Sequence, residues 1–98
     1  GIFMIKHIVM FKLKDRNKKN IEEVVDALKT LEGNIDVLRS AEIGVNITTS
    51  ERSYDIVLTT EFDDRNALNA YGPHHNHLPV VEIVRSLCSG SVVVDYEI

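Results

Sequence analysis

From Ile5 to Lys14 hydrophobic and polar positions alternate. Ile5, His7, Val9, Phe11 and Leu13 share one face of an extended chain, with Lys6, Ile8, Met10, Lys12 and Lys14 on the other. That pattern predicts a strand with one strongly apolar face. The segment DRNKKN breaks it, and Asp15 and Asn17 there are candidate helix caps. Ile21, Val24, Val25, Leu28 and Leu31 then recur at helical spacing, with Glu22, Glu23, Asp26 and Lys29 on the wet side. Gly33-Asn34 is the expected stop. NIDVLRS allows a single helical turn. AEIGVNIT alternates again, with Ile43, Val45 and Ile47 on one face. YDIVLTTEF is β-branched and places Ile56, Leu58, Thr60 and Phe62 together. Asp63 or Asp64 can cap a short helix carrying Ala67, Leu68 and Tyr71, which Gly72-Pro73 ends. LPVVEIVRSL predicts another helix and SGSVVVDYEI a closing strand.

The resulting order, β-α-β-β-α-β, describes two split βαβ units. They give a ferredoxin-like α+β fold, a four-stranded antiparallel sheet with helices on one face. The other face of the sheet is then uncovered, and strand alternation assigns Ile8, Met10, Val57 and Val93 to it. A monomer seldom exposes such a patch, so the pattern predicts a homodimer packed sheet to sheet.

Composition narrows the function. Ninety-eight residues make one domain, placed at 4–98. A net charge of −4 argues against nucleic acid, which needs a basic face. No apolar run approaches the ~20 residues of a membrane span, and the lysine-bearing, alternating N-terminal segment is not patterned as a secretory leader. The single cysteine, Cys88, allows no internal disulfide and suits the cytoplasm. Neither a nucleophile elbow nor a glycine-rich phosphate loop occurs, and no cofactor is expected.

Candidate chemistry concentrates in YGPHHNHLPVV, residues 71–81, which carries three of the four histidines. His74 and His77 are spaced i, i+3 across a break, without a cysteine or a placed carboxylate to complete a ligand set, so no metal site is expected. Pro79 is tolerated only in a first helical turn, which puts His77 at the start of the last helix, with Asn76 as the expected cap. A neutral imidazole there can act as a base. Tyr71, at the end of the preceding helix, is either a packing residue or a donor to a substrate carbonyl. His7 is either a core histidine with one bond satisfied or a pocket group.

Four segments, MIKHIVMFKLK, YDIVLTTEF, LNAYGPHHNH and SVVVDYEI, together resemble the stress-responsive dimeric A/B barrel (Dabb) family, across nearly all of the chain from Met4. The resemblance implies a dimeric α+β barrel in which each subunit keeps a pocket between sheet and helices. Tyr71, His74 and His77 fit the family's Tyr-x-x-His-Pro-x-His pattern, with His75 where proline is usual, and His7 fits its first-strand histidine. Ligand-binding candidates are therefore His7, Val9, Phe11, Leu58, Tyr71, His74 and His77. In an enzyme, His77 would be the base and Tyr71 the carbonyl donor. Haem-degrading barrels rely on a tryptophan, and this chain has none. Three functions stay open: a dimer that binds a small molecule, an acid/base enzyme resembling a polyketide cyclase or an isomerase, and a purely structural stability protein.

Overall fold

The computed structural model describes residues 3–98. Four strands, β1 (Ile5–Leu13), β2 (Ser40–Val45), β3 (Ile56–Phe62) and β4 (Cys88–Glu97), alternate with three helices, α1 (Lys18–Lys29), α2 (Arg65–Tyr71) and α3 (Leu78–Leu87). The sheet is antiparallel throughout, in the order β2-β3-β1-β4. This is the ferredoxin-like α+β arrangement.

Local chemistry explains most boundaries. Asn17 caps α1, its side chain accepting from the Asn20 N–H at 2.8 Å, and Asp64 caps α2 through the Ala67 N–H at 2.8 Å. α1 stops at Lys29, one turn before the expected glycine. Gly33, at φ 81°, instead turns the chain beyond it, in a conformation costly to a side chain. The last helix begins as Pro79 dictates, but its cap is His77. Asn76, the expected cap, instead donates from its side chain to the Asn34 carbonyl at 2.7 Å and ties that turn down. The NIDVLRS segment, for which one helical turn is expected, forms turns through Val37 and enters β2 at Ser40, and it buries Ile35 and Leu38.

The core lies between the sheet and the helices. Phe62, Leu28, Leu31, Ile35, Ile56 and Val24 are almost completely buried, each contributing about 1.5–3 kcal/mol. Cys88 is buried at the edge of this core. One carboxylate is buried as well. Asp55 accepts from the Leu13 N–H at 2.7 Å and from the Arg16 guanidinium at 3.0 Å, which closes the end of β1 against the β2–β3 loop.

Two assignments change on the sheet. β2 ends at Val45, so Ile47 belongs to the following loop and is almost fully exposed. In the ladder Val9 pairs with Val93 and Met10 with Val92. Val93 therefore faces the helices, while Val92, Val94 and Tyr96 join Ile8, Met10 and Val57 on the open face. A one-residue change of phase moves every side chain of a strand to the other face. The open face is apolar across three strands. Position 44 on this face suits glycine, because a Cβ there would lie 2.9 Å from a Val57 methyl. Among the described residues no helix is long and apolar enough to cross a membrane.

Candidate functional site

A cavity of about 260 Å³ lies between the sheet and helices α1 and α3. Six of the seven ligand-binding candidates line it: His7, Val9, Phe11, Leu58, Tyr71 and His77. His74 does not. Its ring accepts from the Asn76 N–H at 3.0 Å, stacks on His75 with centroids 4.5 Å apart, and faces Asp36 at 3.8 Å. It is part of the turn that holds His77, not a wall of the cavity.

Each polar group arrives from a different element. His7 projects from β1 on the helix side because it alternates in phase with buried Ile5 and Phe11. Tyr71 closes α2, with its ring 5.0 Å from that of Phe62. His77 begins α3 and stacks on Tyr71, centroids 4.1 Å apart at 28°. The His7 ring meets Tyr71 edge-on at 6.3 Å. Aliphatic side chains from α1, β3 and α3 form the remaining walls, giving the usual composition of a ligand site, an apolar body with a few convergent polar groups.

The hydrogen bonds define what these groups offer. His77 Nδ1 lies 2.8 Å from the Gly72 carbonyl, which can only accept. Nδ1 therefore donates, and Nε2 is left as an acceptor when the ring is neutral. His7 Nδ1 bonds the Asp95 carboxylate on β4 in the same way, again leaving Nε2 available. Burial pushes the Tyr71 hydroxyl up to about 12, so it stays protonated, and a donor, at neutral pH. Tyr71 is only 3% exposed, yet its hydroxyl has no hydrogen-bond partner among the described residues, and no fully buried side-chain oxygen or nitrogen there is left unpaired. Its hydroxyl thus borders the cavity with its bonding capacity unused.

Asp95, Arg85 and Ser91 were not among the sequence candidates. Asp95 pairs across the sheet with His7 and Ser91 with Phe11, and Arg85 and Ser91 line the cavity. The signal for Asp95 was the same alternation that misplaced Val93. With β4 in its observed phase, Ser91, Val93 and Asp95 all face the helices. For metals, His74 and Asp36 form a pair only, and among the described residues no cluster of three His, Cys, Asp or Glu side chains comes together. A larger hollow of about 430 Å³ opens by Met10, Gly44 and Val57 at the β2–β3 end. It belongs to the open apolar face and brings none of the three site residues together.

Residues 5–98 match the family model described as the stress responsive A/B barrel domain. An uncharacterised protein of Streptomyces coelicolor is 35% identical over 97 residues, covering 96% of this chain and 99% of that protein. A stress-response A/B barrel domain-containing protein of Arabidopsis thaliana is 28% identical over 95% of this chain, which spans 36% of that longer protein. Among solved structures, a dimeric protein of unknown function and ferredoxin-like fold from Bacteroides fragilis has a TM-score of 0.83 and 30% identity, covering 97% of this chain and 96% of its own.

Proposed function

We propose that this chain, which belongs to the stress responsive A/B barrel domain family, acts in the cytoplasm as a homodimer. In this reading each subunit holds a small apolar molecule bearing a carbonyl or hydroxyl oxygen. The observation that carries the proposal is the unused Tyr71 hydroxyl, set among His7, His77 and aliphatic walls. The hydroxyl is reached by solvent at the cavity rather than sealed in the core, so a ligand oxygen can take the bond that water otherwise supplies. The volume accommodates on the order of nine water-sized groups, so the ligand is small. The dimer is supported by the open face, where Val92, Val94 and Tyr96 are 40%, 58% and 42% exposed, and by the dimeric state of the Bacteroides fragilis protein.

Acetophenone, an apolar body with one carbonyl, tests the site. In a heteronuclear NMR titration the amides of Leu58, Tyr71 and His77 are expected to shift. Tyr71→Phe and His77→Ala are expected to weaken that response while leaving the remaining spectrum folded. Shifts confined to the open sheet face, or none, would overturn the proposal.

A second reading has one observation in its favour. The two histidines each donate through Nδ1 and keep Nε2 as an acceptor, and both rings contact the tyrosine donor. A donor to a carbonyl oxygen beside a base is the arrangement for removing a proton α to that carbonyl. Exchange of the acetophenone methyl protons in heavy water, faster with the wild type than with His77→Ala, would support an acid/base enzyme. Equal rates would leave binding as the function.

A further inference from the structure

The cavity has a second polar end, and it is cationic. α3 runs alongside β1 from the histidines toward Lys14, whose N–H donates to the Leu87 carbonyl at 2.9 Å. Along α3, His77, Val80, Val81, Val84 and Arg85 recur at helical spacing and all border the cavity. Arg85 lies eight residues beyond His77, about 12 Å along the helix axis. Ser91 stands opposite, paired with Phe11 on the neighbouring strand. Neither the Arg85 guanidinium nor the Ser91 hydroxyl has a hydrogen-bond or ion-pair partner among the described residues. The cavity is bordered by no Asp or Glu, although the chain carries a net charge of −4. Arg85 is exposed at the mouth of an apolar cavity whose lining holds no acidic side chain, and the Asp95 carboxylate nearby is bonded to His7, so the free charge at the mouth is positive and favours an anionic ligand. Guanidinium is also the side chain that meets a carboxylate with two parallel bonds.

Building on the small-molecule site proposed above, we infer that its ligand is a carboxylic acid with an apolar chain. The carboxylate sits at Arg85 and Ser91, the chain lies against Val84 and Val80, and the carbonyl or hydroxyl oxygen proposed above, at the far end of the chain, reaches Tyr71. The alternative role for Arg85, in the last turn of α3, is to complement the negative end of the helix dipole. That role affects stability without distinguishing ligands.

Octanoate, octanol and methyl octanoate have the same eight-carbon chain and differ in charge and bonding at the head, and each is titrated against the wild type and Arg85→Gln. Octanoate is expected to bind the wild type at least about tenfold more tightly than the two neutral compounds, as a charge-assisted bond requires. Arg85→Gln is expected to bring all three within about twofold of one another, and Arg85→Lys to restore part of the preference. Equal affinity of the wild type for all three would overturn the carboxylate assignment while leaving the cavity itself a binding site. A preference for octanoate that persists in Arg85→Gln would overturn the role of Arg85. No binding of any of the three would overturn both the site and this inference.

Discussion

Replacing Tyr71 by phenylalanine removes one oxygen and retains the ring. The ring accounts for the packing: it is 97% buried, 5.0 Å from Phe62 and stacked at 4.1 Å on His77, and phenylalanine keeps each contact. A tyrosine hydroxyl bonded within a protein contributes about 1 kcal/mol. Here no partner exists among the described residues, so the substitution is expected to change unfolding free energy by less than about 0.5 kcal/mol. Urea denaturation of the purified variant measures this. The same substitution is expected to lower acetophenone affinity about tenfold, the equivalent of one lost hydrogen bond. An alkaline signature accompanies it. The hydroxyl titrates near 10.0 in an unfolded chain and at about 12 when folded, because burial disfavours the phenolate. Its folded pKa is raised, so the stability it contributes is complete below pH 10 and declines as pH rises toward 12. Tyr71→Phe lacks this decline and is expected to overtake the wild type in stability across that window. A loss above about 1 kcal/mol at neutral pH, or about 4–8 °C in Tm, would refute the reasoning. The hydroxyl would then be structurally bonded and not reserved for a ligand.

Three further outcomes are expected. Met10→Asp places an unpaired carboxylate in the centre of the open sheet face. It is expected to weaken the dimer by at least about 100-fold, with light scattering at micromolar concentration as the check; an intact dimer would exclude this face as the interface. Asp55→Ala strands the Leu13 N–H and frees Arg16, so it is expected to cost about 2 kcal/mol in urea denaturation without affecting acetophenone binding. Chelation with EDTA is expected to leave Tm within about 5 °C, since the His74–Asp36 pair offers too few ligands to contribute to folding.

Local patterning determined the elements and their order. Period-two alternation in Ile5–Leu13 and Ile56–Phe62, helical spacing from Ile21 to Leu28, the caps at Asn17 and Asp64, and Pro79 in a first turn are all short-range constraints. Each acts within a few residues and can be read without knowing the fold. They also placed His7, Val9, Phe11 and Leu58 in phase on the helix side of the sheet. What lay beyond reach was anything fixed by a partner distant in the chain. The run Val92, Val93, Val94 has no internal alternation, so only pairing with β1 decided that Val93 and Asp95 lie on the helix side of the sheet, where both remain exposed at its edge. His74 and His77 are equally plausible as ligands in sequence. They separated when Asn76 was drawn to Asn34, 42 residues away, and His77 to Gly72. Asp55 precedes the apolar run of β3 with no local sign of burial, which depends on meeting Leu13 and Arg16 from a distant part of the chain. The polar ends of the cavity are likewise tertiary products. Charge and hydrogen-bonding capacity are written in the residue types, but which groups converge, and which are left unpaired beside an empty volume, is decided when strands and helices from opposite ends of the chain pack together.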